Sequence, residues 1–342
     1  MLDAMKLEII RRSAQFERPQ LNTIYLGGGS PSILTLQDLD SLFEVIYKCF
    51  DVQDVQEVTL EANPDDLNKT YLNGLKGMGI QRLSIGIQSF FDEDLKWMYR
   101  AHDRGQALRC VPMAMDAGFD AISTDLIFGF PLLSDEKYMY NLNKLIEWEV
   151  PHISAYSLTV EEKTPLYKSI RKGIDIAPDE DKSVRHFTIT HDVLSMHGYD
   201  QYEVSNFAKP NKYAIHNSNY WLGIPYIGIG PAAHSYYADH RYWNVANNQQ
   251  YIRFIEANEV AFTSELITQK MAYNELMLTR LRTIWGVGLS DIRQINSGYI
   301  SYFQEKVASM IKLGIVEKNG ERFKLTFEGK LMADYWTAEL FQ

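Results

Sequence analysis

Four short aliphatic runs, each ending in a polar or glycine-rich turn and each followed by a helical pattern, constrain this chain more than any other feature. Asn22-Thr23-Ile24-Tyr25-Leu26 leads into Gly27-Gly28-Gly29-Ser30-Pro31. Three later segments answer it: Leu60-Glu61-Ala62-Asn63-Pro64, Gly86-Ile87-Gln88-Ser89-Phe90, and Asp125-Leu126-Ile127-Phe128-Gly129-Phe130-Pro131. Polar groups at the carboxyl ends of successive parallel strands are how an α/β barrel builds a site.

The first two hundred residues keep this alternation. Helical patterns are expected at Met1–Phe16, around Leu36 to Ile46, and at Leu67–Met78, Arg104–Ala117, Asp135–Glu149 and Asp179–Met196. Strands are expected at 22–26, 57–60, 82–87, 120–127, 152–157 and 199–204. Strands alternating with helices argue for a parallel sheet of βαβ units. The triple glycine is not a dinucleotide fingerprint, because no third spaced glycine follows it. The expected class is therefore α/β, a partial (β/α)6 TIM-like barrel. It starts with a helix where a strand belongs, so its first strand is expected to be missing.

The organisation then changes twice. Residues 1–204 read as the partial barrel, residues 205–262 as an Asn/Tyr-rich segment extending it, and residues 263–342 as a small winged-helix-like domain. The last shows helical patterns at 269–282, 289–295 and 302–312. A hairpin at 316–325 follows, with Asn319-Gly320 expected to form a type I′ turn.

Charge narrows the function. The 342 residues carry a net charge of −10, with a pI near 5.3. Residues 265–342 hold ten Lys+Arg against nine Asp+Glu, a poor footprint for a phosphate backbone. Nucleic acid is thus not an expected partner. No run of about 18 apolar residues offers a membrane span, and the N-terminus has no basic n-region with an apolar stretch behind it. The two cysteines, Cys49 and Cys110, give neither a disulfide framework nor ligand spacing, which suits a reducing cytoplasm.

Most candidate site residues have two readings. Gly28 and Gly29 allow a close backbone approach to a ligand, or make a plain turn, with Ser30 beside them. Glu61 could accept from an ammonium, or be a loop acid. Gln88 can donate and accept, as a ribose hydroxyl requires. Arg100 suits a carboxylate, or a surface ion pair. Asp125 could hold hydroxyls, or cap a turn.

Taken together, the order and spacing of these residues resemble the S-adenosylmethionine (SAM) pocket of the radical SAM enzymes, in the oxygen-independent coproporphyrinogen III oxidase-like family. From Gly29 to Glu61 is 32 residues, from Glu61 to Gln88 is 27, from Gln88 to Arg100 is 12, and from Gln88 to Asp125 is 37. In that family the glycine position meets the amino group of SAM, and Asp125 would hold its ribose. Three later stretches resemble the shorter, HemW-type branch, whose members are regarded as haem chaperones. They are Tyr202-Glu203-Val204-Ser205-Asn206-Phe207-Ala208, then His216-Asn217 with Tyr220-Trp221, then Gly228-Ile229-Gly230-Pro231-Ala232-Ala233-His234-Ser235-Tyr236. His216 and His234 are candidate haem contacts, because imidazole is a common axial ligand. Alternatively, each bonds loop carbonyls.

The resemblance implies SAM, a 4Fe-4S cluster and haem as cofactors, haem transfer to an acceptor protein as function, and leaves a homodimer open. An oxygen-independent coproporphyrinogen III dehydrogenase is the alternative, and a non-catalytic SAM- or haem-binding regulator a third. One element of the family is absent: its Cys-x-x-x-Cys-x-x-Cys loop, which holds the cluster. This chain is therefore not expected to bind the cluster or cleave SAM. Either Met1 is an internal methionine of a longer product or a homologue has lost its chemistry. The retained pocket residues favour the first, and an open edge on the strand at 22–26 is then expected.

Overall fold

The computed structural model describes residues 1–15, 19–162 and 164–342. In chain order the strands are β1 (Thr23–Leu26), β2 (Glu57–Ala62), β3 (Arg82–Gln88), β4 (Ala121–Phe128), β5 (His152–Ser157), β6 (Asp200–Gln201), β7 (Asn206–Ala208), β8 (His234–Tyr237), β9 (His240–Asn244), β10 (Phe262–Leu266), β11 (Val287–Gly288), β12 (Val316–Asn319) and β13 (Arg322–Leu325). The largest sheet runs β1-β2-β3-β4-β5-β7-β6. Among the described residues β1 is thus its terminal strand. The first helix spans Leu2–Ser13; its expected end at Phe16 lies outside the described residues.

The chain forms two compact units. One comprises Met1–Gly28, Leu34–Val58 and Ile215–Gln342; the other comprises Gly29–Ile33 and Thr59–Ala214.

In the second unit β2, β3, β4 and β5 pair in parallel. Alternate residues of a strand face opposite sides, and here the two sides differ in kind. Leu83, Ile85, Ile87, Ile122, Leu126 and Ile153 are fully buried, each stabilising the fold by roughly 1.5–3 kcal/mol. The other parity is polar: Ser84, Gly86 and Gln88, then Ser123 and Asp125, then His152 and Ser154. A parallel sheet covered on both faces ordinarily reads as unbroken aliphatic strands. This one alternates because one face is a site.

Helix starts follow capping chemistry. Asn68, Ser134 and Asp179 accept backbone N–H bonds from their first turns. Asp103 forms a capping box with Gln106. Each cap stabilises its helix by about 1 kcal/mol.

The far end of the sheet corrects the sequence reading. The sixth expected strand, 199–204, is shortened to β6, which runs antiparallel to β7, and β7 runs antiparallel to β5. The chain still crosses from β5 to β6 through helices Pro165–Arg171 and Glu180–Met196, but a tight return at 202–206, closed by Tyr202 N–H donating to the Asn206 carbonyl, seats β7 antiparallel between β5 and β6.

In the first unit, β10-β9-β8 is an antiparallel sheet and β11-β13-β12 a second. Helices Gln269–Arg280, Leu289–Ile295 and Tyr299–Lys312 precede the β12–β13 hairpin, the winged-helix arrangement expected. Its turn differs from expectation. Asn319 pairs with Arg322, so Gly320 and Glu321 are the central residues, and of the two only Gly320 has positive φ, 61°. Positive φ at the first central position alone is type II′ geometry, not I′.

A buried polar knot ties the first helix into this unit. The Glu8 carboxylate accepts from Tyr251 Oη (2.6 Å), Gly230 N–H (2.8 Å) and Asn244 Nδ2 (2.8 Å), beside Arg12. A buried carboxylate is tolerable only when satisfied in this way.

Candidate functional site

The strand ends of the second unit line a half-open cavity of about 160 Å³. Gly29, Ser30, Glu61, Gln88, Arg100 and Asp125 all line it. Gly28 makes the preceding turn with φ 76° and is not part of the wall. Ser84, two residues before Gly86 on the same strand face, also lines it, as the strand's alternation would have indicated.

The walls are held by specific bonds. Asn63 N–H donates to Ser32 Oγ (3.2 Å) and its side chain to Ser30 Oγ (3.4 Å), fastening the Gly-Gly-Ser-Pro turn to the end of β2. Arg100 Nη2 donates to Asn63 Oδ1 (2.8 Å) and to the Gly86 carbonyl (3.4 Å). A Cβ at Gly86 would lie 2.9 Å from Gln88 Nε2 and 3.2 Å from Arg100 Nη2, so glycine leaves room for both side chains. Burial lowers the pKa of the guanidinium, while the Asp65 and Asp125 carboxylates oppose that shift.

Gln88 is the strained member. Its φ is +65°, and Ser89 N–H donates to the Ile87 carbonyl across it at 2.8 Å. That closes a γ-turn of the rarer, costly hand. The same carbonyl bonds His102 Nε2 (3.1 Å). Ser89 Oγ donates to the buried Asp94 (2.7 Å) and accepts from Asn141 Nδ2 (3.2 Å). Strain of this kind persists only where surroundings over-determine it, and it clusters at binding sites. Gln88 Oε1 is buried with no hydrogen-bond partner, a cost of about 1–3 kcal/mol that a donor from a ligand would relieve.

Asp125 is the titratable member. Burial pushes its carboxyl up to about 7, and the neighbouring Glu61 pushes the same way; the Ser154 hydroxyl and Arg100 pull it back. The cavity thus offers acids at Glu61 and Asp125, a cation at Arg100, an amide with a free acceptor at Gln88, and open space at Gly29. That donor set fits a zwitterionic, hydroxyl-bearing small molecule. The cavity is smaller than the ~300–1,000 Å³ of a whole cofactor site, so it encloses one end of such a ligand.

An iron–sulfur cluster is a different matter, because it needs thiolates grouped together. Cys49 ends helix Leu36–Cys49, and Cys110 lies in helix Arg104–Asp116 with its thiol pushed up to about 12 by burial. Among the described residues no group of three or more His, Cys, Asp or Glu is placed to hold a metal. These residues do not fit a 4Fe-4S cluster.

The two candidate histidines belong to the first unit. His216 is the second residue of helix Ile215–Trp221. Its Nδ1 lies 2.7 Å from Thr23 Oγ1 and its Nε2 3.0 Å from the Tyr220 hydroxyl. The ring stacks on Tyr25 at 4.7 Å and meets Tyr220 edge-on at 5.0 Å. Tyr220 meets Tyr226 at 4.7 Å, and Tyr226 lies 6.5 Å from Tyr236. Tyr25 and Tyr220 are 38% and 43% exposed, so this run of rings is open along one side. Burial lowers the His216 pKa, which keeps the imidazole neutral near pH 7. Sequence reasoning missed Thr23 and Tyr25, which lie about two hundred residues away in the chain. His234 is exposed and stacks at 6.5 Å on Trp243.

Comparison with known proteins places this geometry. Residues 5–144 match the model of the radical SAM superfamily. The heme chaperone HemW of Lactococcus lactis is 32% identical over 329 residues, 96% of this chain and 86% of that protein. The HemW of Bacillus subtilis is 32% identical over 97% of this chain and 89% of its own length. Among solved structures, the radical SAM coproporphyrinogen III oxidase HemN from Escherichia coli superposes with a TM-score of 0.84 at 21% identity, covering 100% of this chain and 82% of that one. The fold is thus that of HemN, and the sequence carries the closer assignment: the chain belongs to the HemW family of the radical SAM superfamily.

Proposed function

We propose that this chain binds haem through His216 and hands it to an acceptor protein, and that its strand-end cavity binds SAM. The observation carrying the haem reading is the setting of the His216 ring. Ligating histidines donate their second ring N–H to a fixed partner, which sets tautomer and orientation. Thr23 Oγ1, 2.7 Å from Nδ1, can accept that proton. Nε2 then accepts from Tyr220, whose ring is exposed, and an iron that displaces that hydroxyl would meet the neutral imidazole that ligation requires. The run Tyr25, His216, Tyr220 and Tyr226 supplies rings against which a flat macrocycle can lie. His234, exposed and stacked on Trp243, is the second candidate contact.

For SAM, Arg100 would take the carboxylate, Glu61 the ammonium, and Gln88 and Asp125 the ribose hydroxyls, with Gly29 and Ser30 beside the methionine part. SAM bound beside a cluster supplies radical chemistry. Since the described residues do not fit the cluster, binding alone is proposed for this chain. Oxidative decarboxylation of a porphyrinogen, the alternative, depends on the same cluster. A reducing cytoplasm is the setting proposed for this function, where its two thiols stay free.

Haem transfer tests the main reading. Haem-loaded protein is mixed with a haem-free acceptor haemoprotein, and the acceptor's Soret band is followed. Growth of that band faster than from free hemin at the same concentration is expected. Failure of the protein to retain hemin through gel filtration would overturn the reading. Equilibrium dialysis with labelled SAM tests the cavity separately.

A further inference from the structure

Beyond the ligand itself, two side chains that no motif contains hold His216 in place. We propose that Thr23 and Glu57 are positioning residues for the haem site, Thr23 fixing the direction of the imidazole and Glu57 anchoring the helix that carries it; this rests on His216 being the haem ligand.

Glu57 begins β2 and is only 4% exposed. Its carboxylate spans the start of helix Ile215–Trp221: Oε2 accepts from Ile215 N–H (3.0 Å) and Oε1 from His216 N–H (2.9 Å). The backbone of His216 is therefore bonded to one strand, while its ring nitrogen is bonded to another through Thr23, 2.7 Å away on β1. A side chain held at both its root and one ring atom has a single direction left for Nε2. The helix is seven residues long, too short to hold its own orientation by propagation. Its placement has to come from outside, and the two Glu57 bonds fix its first turn. A buried carboxylate is costly, and one used on two consecutive backbone N–H groups is well compensated. Thr23 matters for a different reason. Without its hydroxyl, Nδ1 loses the bond that fixes the ring, and part of the population turns Nε2 away from the site.

The test is hemin titration with full Soret and visible spectra on Thr23→Val, Thr23→Ser, Glu57→Gln and His216→Ala, with thermal melts on each. Loss of an orienting partner costs roughly 10–100-fold in metal affinity. Thr23→Val is expected to weaken hemin binding by that factor and to broaden the spectrum into mixed ligation, with an unchanged melt. Thr23→Ser keeps the hydroxyl and is expected to restore both affinity and spectrum. Glu57→Gln is expected to weaken binding by a similar factor; should it fail to fold, the Thr23 pair still decides. Wild-type affinity and spectrum in Thr23→Val, with His216→Ala defective, would overturn the positioning claim while leaving His216 as ligand. An unaffected His216→Ala would overturn the ligand assignment and this inference with it.

Discussion

The strand-end cavity and the aromatic run around His216 are opposite solutions to binding. The cavity is polar, half-open and left incomplete: Gln88 Oε1 has no partner, Asp125 is held near neutrality, and Arg100 is partly desolvated. It withholds satisfaction until a small charged ligand supplies it. The aromatic run is complete in itself. Both His216 nitrogens have hydroxyl partners, and the rings are partly exposed. It offers area and one displaceable bond. The first arrangement suits selectivity for one small molecule; the second suits a large cargo that must also leave. Variants should separate the two.

The largest effect within the cavity is expected from Arg100→Ala. Removing a hydrogen bond to a charged group costs about 1.5–3 kcal/mol, so SAM should bind roughly 10–150-fold more weakly in dialysis, with hemin affinity unchanged. A parallel loss of hemin binding would break the comparison.

Asp125 sharpens it through pH. A carboxyl raised from 3.8 to about 7 is mostly protonated below 7 and ionised above. Ribose hydroxyls donate best to the ionised form, so SAM should bind more tightly as pH rises from 6 to 8. Calorimetry in buffers of different ionisation enthalpy should show proton release near pH 6.5. Asp125→Asn should flatten that profile. The stability sign follows too: ionising the folded carboxyl is disfavoured, so wild-type stability should fall as pH rises from about 4 to 7. Asp125→Asn should therefore raise the melting temperature more at pH 8 than at pH 5.

Gln88→Gly should relieve the positive φ and the orphaned oxygen, stabilising the protein by about 1–3 kcal/mol against denaturant while weakening SAM. Stability and binding moving together would deny that strain is stored for the ligand. The smallest effect is expected from His234→Ala: less than about twofold on hemin, within ~0.4 kcal/mol.

Much of this was legible in the chain. The alternation of Leu83, Ile85 and Ile87 with Ser84, Gly86 and Gln88 states both the strand and its two faces, and the family resemblance carried by the spacing from Gly29 to Asp125 implies which residues meet. Local rules reach that far because each strand end delivers its polar group to the same rim. Three features lay beyond those rules. The antiparallel return of β6 and β7 depends on the tight turn at 202–206, which no single residue announces. The γ-turn at Gln88 is imposed by His102, Ser89, Asp94 and Asn141 acting together. Thr23 and Glu57 meet His216 only through tertiary packing, at separations of 193 and 159 residues.

The most direct test of the account is hemin titration of His216→Ala beside wild type, read at the Soret band. The account predicts loss of the histidine-ligated spectrum and a weakening larger than the ~100-fold that second partners of a ligand can cause, with SAM dialysis unchanged. A His216→Ala protein that keeps the wild-type spectrum and affinity would contradict it, and would move the haem site away from this aromatic run.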